Sequence, residues 1–192
     1  MEKSGDKSTV KWTTQTPSDS QRVEPYGLPG PQGPHLLASS RAYPSDYTYV
    51  FIGEYQHSID SKGRMAVPAK FRAKLAKGAV VTRGLDRSLF LYPGDEWQRL
   101  AERLAQLPIS QANTRAFARL MLAGAMDVEI DSQGRVLVPE YLRNYASLKK
   151  QVILAGLYNR IEVWDHAAWQ KYKLATERRS TDIAEQLGAL GV

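Results

Sequence analysis

Two closely similar five-residue motifs hold the residues of this 192-residue chain that are best suited to chemistry. The first, Asp-Ser-Lys-Gly-Arg, runs from Asp60 to Arg64, and the second, Asp-Ser-Gln-Gly-Arg, runs from Asp131 to Arg135. In each motif the Arg can fold back to pair with the Asp four residues before it. Such a pair would also present a planar guanidinium, whose two parallel hydrogen bonds suit a phosphate or the edge of a guanine. The motifs therefore favour recognition of nucleic acid.

A purely structural role for the motifs stays open at this stage. Asp favours the start of a turn, and Gly63 and Gly134 supply the positive φ that a tight turn needs. The pairing of Arg with Asp could serve only to stabilise that turn. A turn requires Gly far more than Arg, however, and both copies keep Asp and Arg although they differ at more than half of their other positions. This retention favours a fixed ion pair that also presents a guanidinium.

The motifs lie inside a longer internal repeat. Residues 53–72 match residues 124–143 without a gap, and with one inserted residue the similarity continues as far as Trp97 and Trp169. A long unit present only twice argues against a solenoid and for two half-domains that complete each other's core. Each copy is predicted as strand, tight turn, strand, helix, strand, strand and helix. Such a pattern indicates a β-rich α+β fold, a compact mixed barrel rather than a parallel doubly wound sheet.

The elements that would position the motifs are short. In the first copy a hairpin turn at Lys62 and Gly63 joins two strands, and Pro68 suits the first turn of a helix. The first copy has predicted strands at 54–59, 64–67, 79–82 and 89–92 and a helix at 69–76. The second has strands at 128–130, 135–138, 152–155 and 161–164 and a helix at 140–145. Amphipathic helices at 95–107 and 110–122 separate the copies, and a final helical segment spans 166–187.

Positive charge is concentrated after the first 49 residues. The net charge of +6 falls entirely on residues 50–192, because residues 1–49 hold five basic and five acidic groups. Seven basic residues lie between Asp60 and Asp86 with no acid among them: Lys62, Arg64, Lys70, Arg72, Lys74, Lys77 and Arg83. A basic cluster inside a folded segment suits a polyanion-binding surface, although a solvated helix face is the ordinary explanation of such a run.

The composition excludes several classes of protein. Because cysteine is absent, the chain can form neither disulfides nor thiolate metal sites. It has no apolar run near the roughly 18 residues that a membrane-spanning helix needs, and residues 1–11 lack the apolar core of an export signal. We therefore expect a cytoplasmic protein without a membrane partner. Six of the ten prolines lie in residues 1–49, among Ser and Gly and without a regular period, which predicts a disordered extension.

An enzyme is a competing class. Two Asp residues on pseudo-symmetric turns resemble the dyad of aspartic proteases, but those enzymes carry Asp-Thr-Gly or Asp-Ser-Gly, and here Lys62 or Gln133 intervenes before the Gly. An Arg four residues away would also keep each Asp ionised and prevent the sharing of a proton. The three histidines have no ligand spacing, and no phosphate loop or nucleophile motif is present. We therefore expect no catalysis, no cofactor, no metal and no small-molecule substrate.

Longer stretches around the two motifs carry a family resemblance. They are residues 51–64, 67–72 and 82–86 in the first copy, and residues 130–135 and 159–164 in the second. Together they resemble the MraZ family of bacterial transcriptional regulators, within the SpoVT-AbrB superfamily. The resemblance extends from about Val50 to the C-terminus and does not include residues 1–49, which raises the hypothesis that the assigned start of the chain is too early.

The resemblance implies a more specific fold. It implies two tandem SpoVT-AbrB-type β-α-β half-domains that form a swapped-hairpin or double-psi-like barrel, with added helices. The expected organisation is an extension at 1–49, a first domain at 54–96, a helical connector at 97–124, a second domain at 125–168 and a C-terminal helix and tail at 169–192.

The resemblance also implies a function. Family members assemble into closed rings and bind short direct repeats in the promoter ahead of their own gene, at the head of the division and cell-wall cluster. The implied partners are double-stranded promoter DNA and further copies of the chain, and the implied location is the cytoplasm, in association with the nucleoid. Because the Asp-x-x-x-Arg motif is the family's DNA-contact signature, the predicted DNA-binding residues are Arg64, Lys62, Arg135, Lys70, Arg72 and Lys74. The predicted motif-orienting residues are Asp60, Gly63, Asp131 and Gly134.

The two copies are not equally basic. The second copy has Gln133 where the first has Lys62, and Glu140 where the first has Ala69. We therefore expect the first turn to dominate contact with DNA. An AbrB-type antitoxin or other interaction module is the alternative, and it would use an extended C-terminal arm. Here the C-terminal region is instead the second copy of the unit followed by a helix.

Overall fold

The computed structural model of the chain describes residues 50–188 and residue 191. The predicted disordered extension, residues 1–49, lies outside the described residues. The strands are β1 (Phe51–Ser58), β2 (Arg64–Ala66), β3 (Ala79–Arg83), β4 (Leu89–Pro93), β5 (Met126–Val128), β6 (Arg135–Leu137), β7 (Gln151–Tyr158) and β8 (Arg160–Asp165). The helices are α1 (Ala69–Leu75), α2 (Gly94–Ala105), α3 (Ala112–Leu122), α4 (Glu140–Tyr145), α5 (His166–Glu177) and α6 (Ser180–Gly188).

The strands form two antiparallel sheets to which both sequence repeats contribute. The larger sheet has six strands in the order β1-β7-β8-β4-β3-β5, and the smaller pairs β2 with β6. Strand β1 pairs with β7 along its whole length, so the β7-β8 hairpin of the second repeat lies between β1 and β4 of the first. The arrangement confirms an α+β fold. Closure into a swapped-hairpin barrel and the predicted domain boundaries stay predictions.

The predicted pairing of residues 54–59 with residues 64–67 in one hairpin is wrong. The tight turn forms, but its two arms meet only in an isolated bridge between Ile59 and Met65. Strand β1 pairs with β7 instead, and β2 pairs with β6 so that Met65 lies opposite Val136. Both of these side chains are buried, so the ladder between the repeats places apolar residues of each copy in a common core. Alternation along a strand identifies its buried face and not its partner.

Apolar residues of both repeats share this core. Val67 and Val138, which follow the two turns, are fully buried. Helix α1 buries Phe71 and Leu75, and the ring of Phe71 meets that of Phe51 edge to face with centroids 5.0 Å apart. Burial of one such side chain contributes on the order of 1.5–3 kcal/mol, so the shared core holds the two repeats together.

A Val-Pro pair links each turn to a short helix. Pro68 precedes α1 and Pro139 precedes α4, with φ values of −51° and −55° that lie in the range proline imposes. Proline also lacks an N–H group, which would have no partner inside the helix at this position. The two repeats therefore set the same short distance between turn and helix.

The helical connector covers the sheet through a second apolar cluster. This cluster consists of Phe90 and Tyr92 from β4, Leu104 from α2 and Met121 from α3. Thr82 on β3 is also buried, and its hydroxyl donates a hydrogen bond of 2.6 Å to the Met121 carbonyl. The two connector helices predicted from the sequence are present, and they pack on the sheet.

The predicted C-terminal helical segment is divided into α5 and α6. The carboxylate of Asp165 caps α5 by accepting hydrogen bonds from the backbone N–H groups of Ala167 at 3.1 Å and Ala168 at 3.3 Å. The break falls at Arg178 and Arg179, where neither helix has a buried residue that would enforce continuity. Across residues 50–188, no helix combines the length and the apolar character that crossing a membrane would require.

Candidate nucleic-acid interface

The first turn is built around the carboxylate of Asp60. Its Oδ1 accepts hydrogen bonds from the backbone N–H groups of Lys62 and Arg64, both at 2.9 Å. Its Oδ2 accepts a hydrogen bond of 2.8 Å from Nε of Arg64. The carbonyl of Asp60 also accepts from the N–H of Gly63 at 2.9 Å. One carboxylate therefore fixes both the turn and the direction of the Arg64 side chain.

The second turn repeats this geometry around Asp131. Its Oδ1 accepts from the backbone N–H groups of Gln133 at 3.0 Å and Arg135 at 2.9 Å. Its Oδ2 accepts from both Nε and Nη2 of Arg135, at 2.9 and 2.7 Å. The two motifs predicted from the sequence thus form two equivalent turns.

The two arginines differ in how firmly they are held. Arg64 engages Asp60 through Nε alone, and its terminal Nη1 and Nη2 make no hydrogen bond with the part of the chain that the structure describes. Arg135 engages Asp131 through two nitrogens, and its Nη1 lies 4.0 Å from Oδ2 of Asp60. The Arg64 side chain is also the more exposed, at 33% against 23%. Arg64 is therefore better placed to bind a ligand.

The two turns lie side by side and are joined by backbone hydrogen bonds. The N–H of Val67 donates to the carbonyl of Gly134, and the N–H of Val138 donates to the carbonyl of Gly63, each at 2.9 Å. This reciprocal pair makes the turns pseudo-symmetric neighbours. They can therefore act on one ligand surface.

The two glycines leave room for arginines of the opposite repeat. Gly63 and Gly134 have φ values of +82° and +77°, in the left-handed region. A Cβ at Gly63 would lie 3.0 Å from Cζ of Arg143, and a Cβ at Gly134 would collide with the guanidinium of Arg72. The backbone of each turn therefore favours glycine, and an arginine of the opposite repeat packs where a Cβ would lie.

The predicted DNA-binding residues of α1 make contacts within the chain. Arg72 donates from Nε to the Val67 carbonyl at 2.9 Å. Lys70 donates to the Ile52 carbonyl at 3.0 Å. Lys74 lies 3.9 Å from the Glu96 carboxylate, and its side chain is only 15% exposed. Roles for these three residues in DNA binding stay predictions.

The structure brings three further basic residues to the first turn that the sequence reasoning did not select. They are Arg143 on α4 and the pair Lys149 and Lys150, which precedes β7. The signal for Arg143 was its match with Arg72 in the internal repeat. No local pattern indicates the two lysines, because they reach the turn only through the pairing of β1 with β7.

Hydrogen bonding lowers the pKa of both motif carboxylates. For Asp60 the backbone N–H of Arg64 is the largest cause, followed by the Arg64 side chain, while desolvation acts in the opposite direction. For Asp131 the side chain of Arg135 is the largest cause, followed by its backbone N–H. Both carboxylates are therefore charged at neutral pH, a state that holds the guanidinium groups in place.

We expect the carboxyl titrations of Asp60 and Asp131 to have midpoints below about 3.9, the ordinary aspartate value. A lowered folded-state pKa gives stability that is present above the unfolded pKa and is lost as the pH falls through the folded pKa. Arg135→Ala should raise the Asp131 midpoint more than Arg64→Ala raises that of Asp60, because only Asp131 depends chiefly on the side chain. NMR of the carboxyl carbons across an acid titration measures the Asp60 and Asp131 midpoints in the native chain, the Asp60 midpoint in Arg64→Ala and the Asp131 midpoint in Arg135→Ala. A larger rise for Asp60 than for Asp131 would contradict this prediction.

The described residues offer no site for a metal ion. Within residues 50–188, no group of three or more His, Asp or Glu side chains is arranged to hold one. The chemistry that the paired turns can perform is hydrogen bonding and charge pairing with an acceptor-rich partner.

Comparison with known proteins agrees with the repeat and the turns. A family model described as "MraZ protein, putative antitoxin-like" matches residues 50–120 and again residues 121–188, so each match contains one turn. The chain belongs to the MraZ family. The resemblance inferred from the two motifs is thereby confirmed, and residues 1–49 lie outside both MraZ matches.

Relatives named "Transcriptional regulator MraZ" align with most of the chain. The protein from Pediococcus pentosaceus is 47% identical over 143 residues, which are 74% of this chain and 100% of the relative. The protein from Natranaerobius thermophilus is 46% identical over 138 residues, 72% of this chain and 96% of the relative. The protein from Acetivibrio thermocellus is 45% identical over 143 residues, 74% of this chain and 100% of the relative.

Proposed function

We propose that this protein is a DNA-binding transcription regulator that recognises direct repeats in the promoter of its own division and cell-wall gene cluster. Membership of the MraZ family supports the proposal, because the relatives bear the name of transcriptional regulator. The cytoplasm, in association with the nucleoid, is the location that this function requires.

The observation that carries the proposal is the state of Arg64. Asp60 holds its Nε at 2.8 Å, while the two terminal nitrogens have no hydrogen-bond partner within residues 50–188. Such a guanidinium can donate to O6 and N7 of a guanine, or to a phosphate. Because Asp60 orders the long side chain before DNA arrives, less conformational entropy is lost on binding.

The other predicted residues support Arg64 in different ways. Lys62 is exposed at the same turn and can reach a phosphate. Arg135 is held more closely by Asp131, so we propose that it assists Arg64. Lys70, Arg72 and Lys74 make contacts within the chain, and we propose that they act through the positive potential they add to this face.

We also propose that the chain assembles into a ring-shaped homo-oligomer. Its two half-domains offer unlike surfaces, and a contact between unlike surfaces closes into a ring when the rotation permits. Exposed apolar side chains support self-association. Ile52 and Tyr158 lie at one end of the β1-β7 pair, and both are more than half exposed.

A toxin-neutralising role is the second candidate, because the description of the family includes the words "antitoxin-like". That role would use a C-terminal arm to bind the toxin. Here Trp169 and Tyr172 of α5 pack against Trp164 of β8, with ring centroids 5.5 and 5.0 Å from it. The aromatic face of α5 therefore packs against the chain's own sheet and does not form an extended arm for a toxin, which favours the DNA-binding role.

The test of the proposed function is DNA binding over a range of salt concentrations. We expect affinity for the chain's own promoter to fall steeply with salt, because each phosphate contact contributes about 0.9 to the slope of log affinity against log salt. Scrambled DNA of equal length is the control and should bind more weakly throughout. Equal affinity for both fragments at every salt concentration, or a flat response to salt, would refute the proposal.

A further inference from the structure

We propose that a cleft beside the first turn binds a backbone phosphate of DNA through Arg143, Lys149 and Lys150, residues that all come from the second repeat. The inference rests on the proposed function and adds to it a sequence-independent contact. The cleft is lined on one side by residues 59–61 and on the other by residues 148–150, with Arg143 also in its wall. Its volume is about 530 Å³.

The backbone holds the two lysines beside the turn. The carbonyl of Lys150 accepts a hydrogen bond of 2.9 Å from the N–H of Ile59, the residue that precedes Asp60. The N–H of Lys149 donates at 3.2 Å to Oδ2 of Asp165, the buried carboxylate that also caps α5. The position of this segment therefore does not depend on the lysine side chains, which are exposed. In the described part of the chain neither lysine forms an ion pair.

Arg143 adds a third positive charge to the cleft. Its guanidinium packs against Gly63, and its Nε is buried without a hydrogen-bond partner among the described residues. The only carboxylate in the wall of the cleft is that of Asp60, which already accepts hydrogen bonds from two backbone N–H groups and from Arg64. An anion in the cleft would thus meet three cations and one carboxylate whose charge is already paired with Arg64, an arrangement that suits phosphate.

The equivalent cleft beside the second turn is less suited to an anion. Its cations are Arg72 and Lys77, and Gly78 takes the place that Lys150 has in the first cleft. Arg72 already donates to the Val67 carbonyl, and the wall includes the carboxylate of Glu129. Only the first turn therefore combines a guanidinium with free terminal nitrogens and a neighbouring basic cleft.

The ligand chemistry could be supplied by a DNA backbone or by a free phosphate ion. The cleft shares residues 60 and 61 with the turn that carries Arg64. A duplex placed with a base edge at Arg64 would bring its phosphates over this side of the turn, so the proposal is a backbone phosphate. Because such a contact carries no sequence information, it should strengthen binding to every DNA by the same factor.

The experiment compares the full chain with the double variant Lys149→Ala/Lys150→Ala on promoter DNA and on scrambled DNA. We expect the salt slope to fall by about one unit, the contribution of one phosphate contact, and affinity for both DNAs to fall by the same factor, so that their ratio is unchanged. The matched control is Lys171→Ala/Arg178→Ala, which removes the same charge from exposed positions on and just after α5 and should leave the slope unchanged. Thermal melts should agree between the two double variants, because the backbone contacts of residues 149 and 150 are kept.

The outcomes separate the inference from the proposed function. A native slope in Lys149→Ala/Lys150→Ala, a loss confined to promoter DNA, or an equal slope change in the control would overturn the phosphate contact. A second result would also overturn the DNA phosphate contact. If inorganic phosphate shifts the NMR signals of Lys149 and Lys150 while the salt slope of DNA binding in the variant equals that of the native chain, then the cleft binds a free anion. A native chain that binds promoter and scrambled DNA equally would refute the proposed function alone, since the slope change can still be measured.

Discussion

Arg64→Ala is expected to lose sequence-specific DNA binding while the fold and the oligomer remain intact. The two terminal nitrogens of Arg64 make no hydrogen bond within residues 50–188, so their removal leaves no buried group without a partner there. A bidentate contact between an arginine and a guanine contributes about 1–3 kcal/mol of discrimination, roughly a 5- to 150-fold change in affinity at each turn. Each subunit of an oligomer that engages DNA would add such a loss.

Arg135→Ala is expected to weaken binding less than Arg64→Ala. Arg135 already donates from Nε and Nη2 to Asp131, and Gln133 makes its turn less basic than the first. Its Nη1 also lies 4.0 Å from Asp60, so the change should disturb both turns structurally. We therefore expect Arg135→Ala to lower the melting temperature more than Arg64→Ala does.

The matched control for both changes is Arg99→Ala. Arg99 also pairs with an aspartate four residues away, Asp95 at 3.3 Å, but on helix α2 instead of at a turn. Anisotropy titrations with promoter and scrambled DNA, with thermal melts alongside, measure all three variants. If Arg64→Ala binds like the native chain, or if Arg135→Ala is the more damaging for DNA binding, then the main DNA contact is not at the first turn. A large loss of DNA affinity in Arg64→Ala could not come from the broken ion pair with Asp60 alone, because exposed pairs of this kind contribute little to stability.

Local patterns were sufficient to predict the turns and most of the elements. The Asp, Gly and Arg of each motif form the turn that their chemistry predicts. Pro68 and Pro139 mark the starts of α1 and α4, and the spacing of Phe71 and Leu75 correctly predicts the buried face of α1. These features depend on contacts between residues that are close in sequence, and the sequence displays such contacts directly.

Contacts between the repeats could not be predicted in the same way. The alternation of residues 64–67 is the same whether this strand forms a full ladder with residues 54–59 in a hairpin or with β6 across the repeats, so the pattern does not distinguish the two ladders. The basic run that contains Lys74 gives no sign of its contact with β1, where its Nζ lies 5.3 Å from the centroid of the Phe51 ring. Its role in DNA binding stays a prediction. A lysine ammonium group is attracted to an aromatic ring wherever the fold brings one within reach, and the sequence does not show where that occurs.

Tandem direct repeats are expected to bind this chain far more tightly than a single repeat. In a closed oligomer the turns are presented at fixed separations, so the first contact makes the next one intramolecular. Linkage of this kind raises affinity by about 10² to 10⁴ without any new contact. The reciprocal hydrogen bonds between Val67 and Gly134 and between Val138 and Gly63 fix the two turns of one subunit relative to each other. Motion of one turn relative to the other should therefore not reduce this gain in affinity.

Promoter fragments with one repeat and with three repeats provide the measurement, and light scattering reports the oligomer at the same concentrations. The control is a three-repeat fragment in which about five base pairs are inserted between neighbouring repeats, half of the roughly 10.5 base pairs in one helical turn. Each insertion rotates a repeat to the opposite side of the duplex from its neighbour, so neighbouring repeats can no longer be bound together. Binding should fall well below that of the uninterrupted fragment although every repeat is intact. Equal affinities for one and three repeats, or a monomer at micromolar protein, would contradict the ring. Tight binding to both three-repeat fragments would instead indicate subunits that bind their repeats independently, because a rigid ring cannot follow repeats around the helix.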